Sequence, residues 1–317
     1  MDPREHRDTR TWTFKSYPYY SHRMGGNLYV LEHFYFLILQ LAHRILRPKY
    51  CRKRHTMPYT NLTLSRIPNN PSTSPTAKGD PQIYLITLRK APENRISTIF
   101  AQEIIRALRD VERMVEAAGK DEQGGGVGAA VIIRGEGDKF WSTGLDLDEA
   151  ERDPFSNTDG YFPLLHTLLD YPFPTIALLN GHTFGGACPL ALAHDYRVMN
   201  SRRGFFSMPP VNIGVHFPGI GYLARLKLRP EIAREMLLEA HKWTGKEALE
   251  DGIVDQIAEP EDMLDAAIEI ARKWAPKAKM GVYAVLRQEL WGEAARIFQS
   301  ISYVHHRRTV LPPKVKI

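Results

Sequence analysis

The chain has 317 residues, of which 43% are apolar, enough to bury a sizeable core in one or two domains. Its net charge of +6 comes from the N-terminal part, because residues 1–80 hold 13 Lys and Arg against 5 Asp and Glu. The slightly acidic remainder gives no support for nucleic-acid binding. The two cysteines, Cys51 and Cys188, form no metal-binding spacing and favour a reducing compartment without disulfides.

Residues 1–80 are predicted to be a basic extension that ends in a Pro- and Ser-rich linker, largely without fixed structure. Its apolar segment between Leu28 and Leu46 is interrupted by Glu32 and other polar residues, so we expect no integral membrane segment. An amphipathic helix that lies on a membrane or a partner is the alternative for this segment. Acidic residues near the start argue against an organelle presequence.

From Gln82 the chain alternates between two kinds of apolar pattern. Short apolar runs predict strands at 83–88, 127–133, 175–179, 195–200 and 204–206. Helical periodicity and capping residues predict helices at 99–117, 161–169, 190–193, 230–240, 245–250, 261–274 and 280–296. Such alternation predicts an α/β fold with a parallel sheet. A Rossmann sheet fits the periodicity equally well, but no G-x-G-x-x-G segment follows a strand.

A glycine-rich corner follows the predicted strand at 175–179, with Gly185 and Gly186 just before a helix. Glycine lets a ligand approach the backbone, and the unpaired N–H groups of a helix's first turn favour a negative charge. Such a corner can hold a developing oxyanion. The alternative is a tight turn in which small residues serve packing.

A second corner follows the strand at 127–133. The stretch KFWSTGLDL at 139–147 places Gly144 after small hydroxyl residues and before an apolar–acidic alternation. Two such corners can each give one backbone N–H to the same carbonyl oxygen. The sequence therefore favours an oxyanion site over two unrelated turns.

This pair of corners resembles the crotonase superfamily, also called the enoyl-CoA hydratase/isomerase family. Supporting segments occur in matching order: DPQIYLITL at 80–88, PENRI at 92–96, HDYRVM at 194–199, WTGKEA at 243–248 and GIVD at 252–255. The HDYR and H-x-W-T-G forms are most similar to the plant and fungal Δ3,Δ2-enoyl-CoA isomerase branch. The resemblance implies a ββα spiral core over residues 81–258, followed by a C-terminal helical region and tail over residues 259–317. It also implies a homotrimer or a dimer of trimers.

By this resemblance, Leu145 and Gly186 give their N–H groups to the thioester oxygen of an acyl-CoA. Gly144, Asp146 and Gly185 are then expected to bind substrate at the two corners. Tyr161 is expected to line the acyl pocket. No metal or redox cofactor is implied, because CoA is part of the substrate.

The sequence departs from the family at both glutamates that usually move the proton. Their positions are taken by Pro189 and Pro210, which cannot ionise, and no Asp or Glu occurs from 196 to 230. His216 is the candidate base, since a histidine is competent near neutral pH. The alternative is a surface-loop histidine. Asn212 can orient a water or the thioester but cannot act as a base.

The sequence thus predicts an enoyl-CoA isomerase that moves a double bond from C3 to C2, in fatty-acid β-oxidation or a specialised pathway. The alternatives are a catalytically weak acyl-CoA-binding homologue and an adaptor that uses residues 1–60. The C-terminal residues Val315, Lys316 and Ile317 match a peroxisomal signal in part, and the cytoplasm is the alternative location.

Overall fold

A six-stranded β-sheet forms the centre of the fold in the computed structural model, which describes residues 58–68, 81–119 and 126–301. Its strands are β1 Leu62–Ile67, β2 Gln82–Leu88, β3 Ala129–Gly135, β5 Thr175–Leu179, β7 Tyr196–Asn200 and β9 Gln256–Ala258. They pair in the order β1-β2-β3-β5-β7-β9, and only the β1–β2 pair is antiparallel. The predicted α/β class with a mostly parallel sheet is confirmed.

A second, smaller sheet has three parallel strands. These are β4 Phe140–Ser142, β6 His182–Phe184 and β8 Phe206–Ser207, paired in the order β4-β6-β8. Each one follows a strand of the large sheet and precedes a helix, so the chain repeats a ββα unit three times. The sequence pattern predicts only the last of these strands, as a short apolar run at 204–206.

Helices connect the strands and cover the sheet. They are α1 Thr98–Ala117, α2 Leu147–Arg152, α3 Phe162–Leu169, α4 Ala187–Ala193, α5 Pro210–Ile213, α6 Tyr222–Lys227, α7 Pro230–Arg234, α8 Gly245–Glu250, α9 Met263–Trp274 and α10 Val282–Ser300. The side chain of Ser97 accepts a hydrogen bond from Phe100 N and caps the start of α1. The sequence pattern does not predict α2 or α6, which have only six residues each.

Alternate residues of the large sheet face two hydrophobic cores. Val131 and Ile133 belong to a core that includes residues of α1, α3 and α4. Ile132 and Ile176 belong to a second core, which they share with α9. Because both faces are covered, the inner strands are continuous apolar runs, and this is why the sequence predicts them well.

Strand β1 corrects the sequence prediction, which places residues 62–67 in a linker without structure. β1 pairs with β2 along its whole length, and Leu62 is buried. The buried carboxylate of Glu103 on α1 accepts hydrogen bonds from Thr60 N and Asn61 N, at 2.8 and 2.9 Å. The flanking Pro, Asn and Ser residues have the composition of a linker, whereas the strand is stabilised by β2 and α1, which lie later in the chain.

Three predictions concern parts of the chain outside the described residues. They are the basic extension up to residue 57, its apolar segment between Leu28 and Leu46, and the signal at 315–317. Within 58–68, 81–119 and 126–301, no helix combines the length and the apolar character that crossing a bilayer requires.

Candidate active site at two glycine corners

The first corner, residues 142–146, joins β4 to α2. Gly144 has φ +86°, a conformation that favours glycine. Three of its amides are bound by nearby oxygen atoms: Thr143 N by Glu93 O at 3.0 Å, Gly144 N by Ser142 Oγ at 3.1 Å and Asp146 N by Ile96 O at 3.1 Å. The N–H of Leu145 donates to no acceptor within the described ranges. It is therefore the amide of this corner that remains for a ligand.

The direction of the Leu145 amide follows from its neighbours. Ile96 donates to Gly144 O at 2.7 Å and accepts from Asp146 N, so it binds the residues on both sides of Leu145. In such a parallel bridge, the intervening residue turns its own N–H to the opposite side. The N–H of Leu145 accordingly points away from Ile96.

The second corner, residues 184–188, joins β6 to α4. Gly185 has φ +55°, and its N–H donates to Ser207 O at 3.0 Å. Gly186 is the residue before α4, at the positive end of the peptide dipoles of that helix. In the part of the chain that the structure describes, the N–H of Gly186 has no acceptor.

The two corners lie directly against each other. A Cβ atom added to Gly144 would lie 2.4 Å from Gly186 N and 2.7 Å from Phe184 O. A Cβ atom on Gly186 would lie 3.2 Å from Leu145 N. The structure therefore brings together the two backbone segments that carry the unpaired amides, and any side chain at position 144 would separate them.

Tyr161 packs against the second corner and is hydrogen-bonded to it. Its side chain is 1% exposed, and its hydroxyl donates a 2.5 Å hydrogen bond to Gly186 O. Burial, and then the neighbouring Cys188, raises the pKa of Tyr161 well above its ordinary value. The buried hydroxyl is bound to the corner itself and holds the Gly186 peptide. The expectation that Tyr161 also lines the acyl pocket stays a prediction.

Cys188 is the second residue of α4, at the same corner, and is fully buried. Its thiol donates to Ser207 O at 3.1 Å. Burial raises the pKa of the Cys188 thiol well above its ordinary value, despite that hydrogen bond. The thiol is therefore protonated at neutral pH and packs the corner, which excludes a thiolate nucleophile here.

Asp146 caps α2 and is bound on both carboxylate oxygens. Glu149 N donates to Oδ1 at 3.3 Å, and Lys90 Nζ donates to Oδ2 at 3.0 Å. Burial opposes its ionisation, but these two hydrogen bonds and the charges of Lys90 and Arg95 outweigh burial and lower the pKa of Asp146. The carboxylate thus stays ionised, and both contacts fix the exit of the first corner.

Of the two residues predicted after β8, Asn212 lies on the short helix α5 and His216 in the loop that follows it. Both side chains are exposed. Phe217, the next residue, is buried and packs edge-on against Tyr161, with ring centroids 5.7 Å apart. His216 is therefore the neighbour in sequence of Phe217, whose ring packs on Tyr161 at the second corner.

Both prolines that stand at the glutamate positions of the resemblance are part of helices. Pro189 is buried inside α4, and Pro210 is the first residue of α5. Pro210 thereby occupies a helix position that suits proline, whose missing N–H is not needed there. Both positions are structurally settled without an ionisable group.

Sequence analysis alone does not identify the segment 93–96 as part of the site. Asn94 is buried, has φ +50°, and donates from Nδ2 to Trp141 O at 3.0 Å. The available signal is a single asparagine between strand and helix, a residue that tolerates the left-handed region. Its partners on β4, Trp141 and Ser142, lie 47 and 48 positions away and cannot be assigned from the sequence.

Several known proteins are similar to this chain. A profile of the enoyl-CoA hydratase/isomerase family matches residues 79–305. "Enoyl-CoA delta isomerase 3" of Arabidopsis thaliana is 34% identical over 232 residues, which cover 69% of this chain and 92% of the relative. "Enoyl-CoA delta isomerase 2, peroxisomal" of the same plant is 33% identical over 234 residues, with the same coverage.

One other similar protein carries a different activity in its name. A carnitinyl-CoA dehydratase of Salmonella arizonae is 36% identical over 159 residues, 49% of this chain and 60% of the relative. Among solved structures, the apo enoyl-CoA isomerase of Mycobacterium tuberculosis has a TM-score of 0.63 at 23% identity and covers 72% of this chain and 95% of its own. These likenesses confirm the predicted crotonase-like fold.

Proposed function

Because the chain belongs to the enoyl-CoA hydratase/isomerase family, we propose that it binds an acyl-CoA thioester at the amides of Leu145 and Gly186. The observation that carries this proposal is the contact of two corners, each with one amide that lacks an acceptor in the described residues. Two such donors stabilise the enolate oxygen, and losing one donor typically costs about 2.7–4 kcal/mol.

The proposed reaction moves a double bond from C3 to C2 of the acyl chain. A base removes a proton from C2, and the electron pair moves onto the thioester oxygen between the two amides. The same proton then returns at C4, which leaves the double bond between C2 and C3 and regenerates the base. Names of the two plant relatives support this reaction. No metal or redox cofactor takes part, since CoA enters as part of the substrate.

His216 is the proposed base. It is exposed in a loop whose next residue, Phe217, packs on Tyr161 beneath the second corner. An imidazole is a competent base near neutral pH, and a loop position permits it to approach a bound acyl chain.

A second candidate function is acyl-CoA binding with little or no turnover. The observation that favours it is the proline at both glutamate positions, each built into a helix. An oxyanion site without a proton-transfer group still binds a thioester but does not move its double bond.

Turnover of a 3-enoyl-CoA separates the two functions, measured by the ultraviolet absorbance of the conjugated 2-enoyl thioester. We expect wild type to convert the substrate and His216→Ala to lose at least about tenfold in kcat, because general base catalysis contributes about 10²–10⁴-fold. His241→Ala, a second exposed histidine, is the control and should stay near wild type.

Other outcomes are equally informative. Binding of acyl-CoA without turnover by wild type would support the binder. Turnover that survives in His216→Ala would reject this base while keeping the isomerase. A wild-type protein that neither binds nor converts acyl-CoA would contradict both candidate functions.

We further propose a peroxisomal location, with the cytoplasm as the alternative, and assembly as a homotrimer or a dimer of trimers. A peroxisomal plant relative and the C-terminal Lys316-Ile317 support the location. The exposed apolar side chains of Val282, Val285 and Leu286 on α10 support assembly. Imaging of a tagged chain with a free C-terminus tests the first proposal, and light scattering tests the second.

A further inference from the structure

The segment 93–96 holds the first corner in place, and we propose that Asn94 is a positioning residue that directs the Leu145 amide at the thioester oxygen. This inference rests on the proposed binding of a thioester at the two corners. Asn94 lies in the loop between β2 and α1, 3% exposed, and it belongs to neither element.

Asn94 makes two hydrogen bonds with β4, one through its side chain and one through its backbone. Its side-chain Nδ2 donates to Trp141 O at 3.0 Å, and its backbone oxygen accepts from Ser142 Oγ at 2.8 Å. The same Ser142 Oγ accepts from Gly144 N at 3.1 Å. A continuous chain of hydrogen bonds therefore runs from the backbone oxygen of Asn94 to the N–H of Gly144, the residue before Leu145.

The backbone of Asn94 also aligns its neighbours. Its φ of +50° is uncommon for a residue with a side chain, and asparagine is among the few residues enriched there. On either side of it, Glu93 O accepts from Thr143 N, while Ile96 binds the residues flanking Leu145. These contacts engage every corner amide from 143 to 146 except that of Leu145.

Loss of the Asn94 side chain removes the bond to Trp141 O, which holds the Asn94 backbone against β4. The backbone oxygen of Asn94 should then shift together with Ser142 Oγ and Gly144 N, and this rotates the first corner without dismantling the fold. The strands β2, β3 and β4 and the helix α1 pair and pack through other residues. The affected quantity is the angle and distance of one donor, to which a hydrogen bond is sensitive.

The test compares two ligands that differ in one oxygen atom. Calorimetry gives the affinity for an acyl-CoA thioester and for the matching S-alkyl-CoA thioether, which has no carbonyl. The ratio of the two dissociation constants isolates the contribution of the corner amides. Packing of the acyl chain and CoA affects both ligands alike and cancels.

We expect wild type to prefer the thioester, and Asn94→Ala and Asn94→Gly to lose about threefold to tenfold of that preference, the value of one hydrogen bond. Glycine adopts positive φ freely, so Asn94→Gly removes the side-chain amide without straining the loop. Affinity for the thioether should change less than about twofold, and Asn61→Ala at the start of β1 is the control.

Each of the other possible results contradicts either the role of Asn94 or the proposed function. A preference retained by both Asn94 variants overturns the inference and leaves the proposed function standing. An equal weakening of both ligands shows that Asn94 serves general folding only, which also overturns it. Equal affinity of wild type for thioester and thioether contradicts the proposed function itself.

Discussion

At the scale of single residues, the site depends on the absence of one Cβ atom. Gly144 lies where the two corners meet, and its φ of +86° adds a second requirement for glycine. Gly137 shares the positive φ, at +76°, but a Cβ there would meet no atom within 4 Å. The chain thus offers a matched pair that separates backbone strain from steric contact.

Gly144→Ala should lower stability and acyl-CoA binding together, whereas Gly137→Ala should lower stability alone. A side chain at positive φ should lower the free energy of unfolding of each variant by about 1–3 kcal/mol. Only the alanine at 144 pushes on Gly186 N, 2.4 Å away, and moves the amide that the ligand needs. Thermal unfolding and calorimetry measure the two effects. Similar losses of binding in both variants would contradict the assignment of the site to the meeting of the corners.

At the scale of elements, the sequence predicts what local periodicity determines. The strand at 175–179 and the helix α8 at Gly245–Glu250 agree with the structure in both bounds. Buried strands and capped helices carry their own signal in neighbouring residues. Strands β4 and β6 have three residues each, too few to show a clear apolar alternation, and the sequence does not predict them. These two strands nevertheless lead into both corners.

The same distinction divides the candidate site. Glycines near the start of a helix are a local signal that marks the two corners, and the family resemblance then selects the amides of Leu145 and Gly186. Contacts between residues far apart in the chain leave no local signal. The hydrogen bonds from Tyr161 to Gly186 O and from Asn94 to Trp141 O are therefore visible only in the fold. Sequence reasoning identifies the amides; the groups that hold them require the structure.

At the scale of the whole molecule, one buried carboxylate ties the start of the described chain to its body. Glu103 on α1 binds Thr60 N, Asn61 N and Asn61 Nδ2, which fixes the entry to β1. Burial opposes its ionisation, but these hydrogen bonds and the charge of Arg106 outweigh burial and lower its pKa below the ordinary 4.5. The folded protein therefore favours the ionised carboxylate more than the unfolded chain does.

The stability that Glu103 contributes should be present above about pH 4.5 and be lost as the pH falls through its depressed folded pKa. Glu103→Gln should cost about 1.5–3 kcal/mol at pH 7, the range for hydrogen bonds to a charged group. The difference from wild type should shrink on acidification, because only wild type then gains a proton on unfolding. Urea unfolding between pH 7 and pH 4 measures it, with the exposed Glu250→Gln as the control. A difference that stays constant with pH would show that the shape of the side chain, and not its charge, holds β1.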